Sequence, residues 1–195
     1  MKKILFLFLV FFITFLIYYF NVSNKIYYFS IDNYGYSKNI EKSLKSKLKN
    51  SVIYSKEDYR IMDLINDIED NKEFIYSNKT YNFDNLLVKA NYITISIGMD
   101  DLLYKKEVDY NYIDQLIFDI EKLLVLIRKY NKDRIYFLSL YKSSNLSEVL
   151  EYANKKIENL CKKNKINYID IGNLTVINKT SNLYISNEIL NFTKK

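Results

Sequence analysis

The segment Tyr92-Ile-Thr-Ile-Ser-Ile-Gly-Met-Asp-Asp-Leu-Leu103 decides how the rest of the chain is interpreted. Its first half is a mostly β-branched run that ends at Gly98, and such a run is typical of a buried strand. Asp100 and Asp101 follow the glycine and precede two leucines, which indicates a tight turn and the acidic first turn of a helix. Because ligands of open α/β sheets bind at the carboxyl ends of strands, we expect one edge of any site to lie here.

Strand and helix patterns alternate on both sides of this segment. Apolar runs predict strands over residues 26–31, 52–54, 92–97, 134–140 and 167–171. Helical spacing of apolar residues predicts helices over residues 38–49 (with Ser37 as N-cap), 61–68, 84–90, 110–130 and 146–164, and a small hairpin over 73–83. The tail, 172–195, is polar and is predicted to end in a short helix. This alternation favours an α/β fold: a three-layer α/β/α sandwich around a mainly parallel five-stranded sheet.

The amino terminus has the pattern of a membrane anchor. Lys2 and Lys3 precede an apolar run from Ile4 to Phe20, which orients the following chain away from the cytoplasm. The run is longer than a signal-peptide core of ~7–15 residues and close to the ~20 residues that span a bilayer. No small-x-small cleavage site follows it. We therefore expect residues 1–23 to be an anchor or uncleaved signal of a single-pass cell-membrane protein, with residues 24–195 as one extracytoplasmic domain; a cleaved signal is the alternative.

Composition excludes several functional classes. The sequence contains no histidine, so Ser-His and Cys-His catalytic pairs and histidine-based zinc sites are excluded. The net charge of +6 is carried by scattered lysines, and because no nucleic-acid motif is present we expect no nucleic-acid partner. A single cysteine, Cys161, falls in a helical pattern, which predicts a buried apolar role and no intramolecular disulfide.

Four segments together resemble one known family. They are Tyr34 to Ile40, Asp58 to Ile68, Ile97-Gly-Met-Asp-Asp-Leu-Leu103 and Arg134 to Tyr141. Their order resembles that of the SGNH/GDSL hydrolases, a flavodoxin-like family of esterases, lipases and acyl-group hydrolases. The likeness covers roughly residues 26–171, and it is closest to the anchored or secreted members of low-GC Gram-positive bacteria. It implies the fold predicted above and descent from an ester hydrolase.

The catalytic positions of that family depart from its pattern. Laying Ile31-Asp32-Asn33 on the Gly-Asp-Ser motif puts Asn33 at the position of the nucleophilic serine; in a second alignment that loop is deleted and the segment Asp32 to Ser37 matches a later stretch. Gly98 matches the family glycine of Gly-x-Asn-Asp, but Asp100 replaces the asparagine that donates to the oxyanion. The catalytic histidine is missing. A carboxylate presents acceptors where an oxyanion hole needs donors.

These departures favour a catalytically inactive protein that acts as a binding or scaffold module for an acyl, glycan or protein ligand. We expect no cofactor and no metal. Two alternatives stay open. An active hydrolase would need Ser30, Ser37 or Ser55 as its nucleophile. Its base would be an aspartate, namely Asp32, Asp100 or Asp101. The same three aspartates could also bind a metal. A structural cell-surface protein would have no pocket function.

Overall fold

A computed structural model describes residues 8–16, 26–44, 48–103, 105, 107–132, 134–141, 146–173, 183–185, 187, 188 and 191. Within them, five parallel strands form the central sheet in the order β2-β1-β5-β6-β7. These strands are β1 (Ile26–Asp32), β2 (Leu48–Tyr54), β5 (Tyr92–Ser96), β6 (Arg134–Leu138) and β7 (Asn167–Ile169). The remaining two, β3 (Glu73–Tyr76) and β4 (Lys79–Asn82), form the predicted antiparallel hairpin.

Helices connect the strands of the sheet and cover it. They are α1 (Ser37–Leu44), α2 (Ile61–Glu69), α3 (Phe83–Lys89), α4 (Met99–Leu103), α5 (Tyr110–Tyr130) and α6 (Ser147–Lys163). The chain moves from β1 to β2 in one direction and from β5 to β7 in the other. Right-handed crossovers therefore place α1 on one face and α5 and α6 on the opposite face. On that second face α5 packs against α2, α3 and α6.

The apolar patterns of the sequence form one continuous core. Helices cover the central strands on both faces, and strands covered in this way carry near-continuous apolar runs. In β5, Ile93 and Ile95 are completely buried. Cys161 is buried as predicted, and burial raises the pKa of its thiol to about 12. Among the described residues, the core extends from Tyr28 to Ile185, so the folded unit is built from the region that follows the amino-terminal segment.

The predicted helix over residues 38–49 is too long. Helix α1 ends at Leu44, and residues 48–54 form strand β2, which pairs along β1 from Leu48 to Tyr54. Backbone pairing with a central strand overrides the helical spacing of a lysine-rich stretch. Ser37 is also the first residue of α1 instead of its N-cap, because Asp32 accepts the hydrogen bond from its N–H at 2.8 Å.

The amino-terminal prediction falls largely on residues that are not described. Residues 8–16 are helical, and the side chains of residues 8–15 are exposed. No helix among the described residues is both long and apolar enough to cross a membrane. The rest of the predicted anchor, residues 1–7 and 17–23, lies outside the described part of the chain, as does much of the tail; residues 183–185, 187, 188 and 191 of that tail are helical.

Candidate functional site

Asp32 ends β1 and organises the loop that follows it. Its Oδ1 accepts hydrogen bonds from the N–H groups of Tyr34 at 3.0 Å and Gly35 at 2.8 Å, while Oδ2 accepts from Ser37. The hydroxyl of Ser96, its neighbour on β5, donates to Oδ1 at 3.2 Å. The residue is 3% exposed. All these donors belong to the protein, so this carboxylate fixes the loop and is not presented to a ligand.

Asn33 and Asp100 meet at the carboxyl edge of the sheet. The side-chain amide of Asn33 donates to Asp100 Oδ2 at 3.3 Å and to the Tyr59 carbonyl at 3.3 Å. The same Asp100 oxygen accepts the Tyr59 N–H at 3.1 Å. Both Asn33 and Asp100 are half-buried, and Asn33 Oδ1 is buried with no hydrogen-bond partner among the described residues. The two residues that the first alignment lays on the nucleophile and the oxyanion donor are thus bonded to each other.

Gly98 allows the chain to turn between β5 and the two aspartates. Its φ of +113° lies in a region that L-residues with a side chain avoid, and an added Cβ would lie 3.1 Å from Leu140 and 3.5 Å from Ile61. The glycine of the predicted strand end is therefore required by both backbone conformation and space. This tight turn starts α4 directly and brings the side chain of Asp100 toward Asn33.

Asp101 is the buried member of the acidic pair. It is 9% exposed, and its Oδ2 accepts the N–H of Ile61 at 3.2 Å. Burial raises the pKa of its carboxyl to about 6, against the smaller lowering effects of the Ile61 N–H and of the Arg60 charge. Asp101 therefore titrates near neutrality, while it connects α4 to the first turn of α2.

A second polar cluster holds the Tyr59 loop in place. Asp67 Oδ2 accepts hydrogen bonds from the hydroxyls of Tyr54 at 2.5 Å and Tyr59 at 2.6 Å, and from the Lys56 ammonium at 2.7 Å. Lys72 donates to the other oxygen at 2.6 Å. Although burial opposes it, these hydrogen bonds from Lys56 and Lys72 and from the two phenols hold the pKa of Asp67 well below its usual range. The cluster positions Tyr59, whose backbone contacts both Asn33 and Asp100.

None of the three serines considered as nucleophiles is hydrogen-bonded to Asn33 or Asp100 in the described part of the chain. Ser30 and Ser37 are fully buried and bonded to each other at 2.5 Å, and Ser30 also contacts Thr94 at 2.7 Å. Ser55 is exposed in the loop after β2. Among the described residues, no three carboxylate, cysteine or histidine side chains are grouped as a metal site. The carboxyl edge therefore carries carboxylates and amides that bond to protein groups.

A groove lies on the same edge of the sheet at the end of β7. Its volume is about 470 Å³, and it runs between α6 and the segment after β7. The half-buried ring of Tyr168 lines it. Most of the other lining side chains carry hydrogen-bonding groups: Glu151, Asn154, Lys155, Glu158, Asp170 and Asn173. The groove is separated from Asn33 by the intervening strands β5 and β6.

The sequence did not reveal three contributors to this edge. Tyr59, Asp67 and the groove on α6 were not predicted as site residues. Tyr59 follows Asp58, whose φ of +53° turns the loop back toward α4; an aspartate tolerates this conformation, and that is the one signal in the sequence for a tight turn there. The four family-equivalent positions, Asp32, Asn33, Gly98 and Asp100, do lie at the carboxyl ends of two adjacent strands.

Comparison with known proteins gives a structural likeness without a sequence match. No protein-family model and no curated protein matches the chain. An acetyl xylan esterase shares the fold with a TM-score of 0.60 and 12% identity, covering 84% of this chain and 96% of its own. A psychrotrophic esterase from Pseudoalteromonas sp. has a TM-score of 0.56 and 10% identity, covering 86% and 96%. An acetyl xylan esterase from the rumen bacterium Butyrivibrio proteoclasticus has a TM-score of 0.52 and 13% identity, covering 87% and 60%.

These likenesses confirm the fold that the resemblance predicted. The backbone likeness extends over 96%, 96% and 60% of the three esterases. The chain therefore has the SGNH-type esterase fold, at a sequence identity that shows the fold alone.

Proposed function

We propose that this chain is a catalytically inactive SGNH-fold protein, held at the outer face of the cell membrane by residues 1–23, that binds carbohydrate along the carboxyl edge of its sheet. One observation carries the proposal: Asn33 and Asp100, which the resemblance lays on the nucleophile and the oxyanion donor, are hydrogen-bonded to each other. An amide nitrogen that already donates to a carboxylate is not a nucleophile. The Asp100 carboxylate also offers acceptors, which would repel a developing oxyanion.

The groove at the end of β7 supports a carbohydrate ligand. Sugars present many hydroxyl groups, and carboxylates and amides bind these groups as hydrogen-bond acceptors and donors. Glu151, Asp170 and Asn173 supply such groups on the groove wall, next to the aromatic face of Tyr168. Two of the similar solved structures are acetyl xylan esterases, which agrees with a glycan ligand for this fold.

Residues 1–23 support the location. An apolar run preceded by two lysines places the following domain outside the cytoplasm. An extracytoplasmic protein of this kind meets cell-surface glycans directly. The test of location is alkaline carbonate extraction of cell membranes followed by protease treatment of intact protoplasts. The full chain should stay in the membrane pellet and be cleaved from outside; a soluble or protected chain would contradict the anchor.

Catalytic inactivity is tested with the full chain in detergent. We expect no hydrolysis of p-nitrophenyl acetate above the rate of buffer, and no labelling by a fluorophosphonate probe, because Ser30, Ser37 and Ser96 are fully buried at this edge. Heat-unfolded protein is the control for surface reactivity. Labelling of the folded chain that is lost in a Ser55→Ala variant would instead establish an active hydrolase.

Carbohydrate binding is tested by calorimetry with xylo- and chito-oligosaccharides. A binding oligosaccharide should lose roughly 5- to 10-fold in affinity in Glu151→Gln, because the substitution removes one charged hydrogen-bond acceptor of the groove. Glu148→Gln is the matched control, since Glu148 is exposed one turn earlier on the same helix and does not line the groove. Equal effects in both variants, or no binding by any oligosaccharide, would reject the groove as a glycan site.

A further inference from the structure

A basic groove lies at the opposite, amino-terminal edge of the sheet. Its volume is about 510 Å³, and it is lined by Arg128, Lys132, Arg134, Asn164, Lys165 and Asn167. Four of these six side chains are cationic, and none of the six is a carboxylate. In the sequence, Asp133 separates Lys132 from Arg134. We refer to this concavity as the basic groove.

The cations are held in place by the surrounding backbone. The guanidinium of Arg128 donates to the carbonyl oxygens of Asn164 at 3.1 Å and Asn131 at 3.4 Å, and the Lys132 ammonium donates to the Arg128 carbonyl at 2.7 Å. These contacts complement the carboxyl ends of α5 and α6, which attract cations. Arg134 starts β6 and is exposed, with its guanidinium donating to the Tyr92 hydroxyl at 2.8 Å, and Lys165 is exposed in the turn before β7.

Cations also lie elsewhere along this edge, since Lys89 is in the last turn of α3 and Lys72 follows α2. On the other side of α5, the neighbouring helix α2 ends in Glu69, which Asp70 follows. The last turn of α2 contains no basic residue. The basic groove differs from these surroundings because its four cations line one concavity. The charges of α5, β6 and α6 therefore form a local surface for anions.

The basic groove lies on the edge at which the chain enters the domain. Strand β1 begins at Ile26, and the register aligns Tyr28 with Tyr92 and Tyr92 with Arg134. Since neighbouring strands are ~4.8 Å apart, β6 lies only ~10 Å from β1 along this edge. The five residues 21–25 separate the apolar run from β1 and can span at most ~18 Å. If residues 1–23 are anchored, this edge faces the membrane at close range.

We propose that the basic groove binds the phosphate groups of anionic lipids, so that the domain rests with its amino-terminal edge on the membrane and its carboxyl edge directed outward. The proposal rests on the membrane anchoring proposed above, although the groove itself is independent of it. Cationic side chains near an anionic bilayer each favour binding, and the attraction decays over a Debye length of ~8 Å at physiological salt. A docked domain would present its glycan groove away from the bilayer.

Vesicle cosedimentation of residues 24–195 tests the groove apart from the anchor. This region contains the whole described core. It should partition onto phosphatidylcholine vesicles that contain phosphatidylglycerol and not onto phosphatidylcholine alone. Lys132→Gln/Lys165→Gln should lower the partition coefficient about 25-fold, since one cation contributes about fivefold, or ~1 kcal/mol. Lys38→Gln/Lys105→Gln is the matched control: it removes the same charge from two exposed lysines at the carboxyl edge and should change binding less than about twofold.

Three results would overturn the proposal. Equal losses in the two double variants would mean that overall net charge drives binding. Absence of binding to anionic vesicles would remove the lipid ligand. Release by inorganic phosphate at constant ionic strength would identify a soluble-anion site. Thermal unfolding of every variant establishes that the domain is folded. Failure of the anchor is separate, because it appears as full chain in the soluble fraction after carbonate extraction, whatever the vesicles show.

Discussion

Replacing Asp101 by asparagine should stabilise the protein at neutral pH and leave it little changed in acid. Burial raises the pKa of the Asp101 carboxyl from its ordinary value of 3.8 to about 6. Between pH 3.8 and about 6, the folded state therefore keeps this carboxyl protonated, whereas the unfolded state has released the proton. Stability then falls as the pH rises through this window, because the folded state must ionise a buried group that the unfolded state ionises in water.

The magnitude follows from the shift itself. A rise from 3.8 to about 6 corresponds to ~3 kcal/mol of differential interaction, since one unit of pKa is about 1.4 kcal/mol. Most of this, roughly 2 kcal/mol, develops between about pH 4 and pH 8. Asparagine is nearly isosteric, and its carbonyl oxygen can still accept the Ile61 N–H, so the helix start keeps its hydrogen bond.

The measurement is urea unfolding of wild type and Asp101→Asn across that pH range. The difference in unfolding free energy between variant and wild type should rise by about 2 kcal/mol toward neutral pH. A difference in unfolding free energy that is the same at every pH would reflect only how well the amide packs. The test is therefore the part of the difference that changes with pH. Glu107→Gln, which removes an exposed carboxyl, is the control and should stay within ~0.5 kcal/mol of wild type. A flat difference curve for Asp101→Asn would refute a raised carboxyl pKa.

Three other substitutions test the edge of the sheet. Gly98→Ala should lower the unfolding free energy by ~1–3 kcal/mol in urea titrations, because of its positive φ and the contact with Leu140; Gly35→Ala, with φ of +78° and open space, should lose less, and equal losses would discount the contact. Asp67→Asn should lose ~2–4 kcal/mol at pH 7, since two phenols and two ammonium groups lose a charged acceptor. That stabilisation is present above pH 3.8 and is lost as the pH falls toward the lower folded pKa, so wild type and variant should converge in acid. Asn33→Ser should leave p-nitrophenyl acetate hydrolysis at background, and a clear rise would show that a base is within reach.

The architecture could be predicted because its signals are local. The strand over residues 92–97 and the helix over 110–130 each carry an uninterrupted apolar pattern, and a parallel sheet follows from their alternation. The prediction of a helix over residues 38–49 was wrong at its carboxyl end. Ile40, Leu44 and Leu48 share helical spacing, yet Leu48 pairs with β1. Competition between a weak local pattern and pairing with a central strand is decided by tertiary contacts, which the sequence does not display.

The candidate site was predictable in position but not in its internal contacts. Asp32 and Gly98 end neighbouring strands, so their proximity follows from the parallel sheet. Which member of the Asp100–Asp101 pair is buried depends on the direction in which α4 leaves the turn at Gly98, and the sequence does not specify that direction. The link through Tyr59 depends on a side-chain contact between the loop after β2 and Asp67 on α2. Contacts of this kind arise only when the loops are folded.

On the proposed function, the hydrogen bonds around Asn33 stabilise an edge that the resemblance assigns to catalysis in the esterases. A catalytic site leaves its nucleophile and oxyanion donors available to the substrate, which costs stability in the empty enzyme. Here the Asn33 amide, the Asp100 carboxylate and the Tyr59 backbone bond to one another, and Asp67 holds Tyr59 from behind. On the proposed function, these mutual contacts replace the contacts to substrate. Placing serine at position 33 would therefore remove these stabilising bonds without supplying a base.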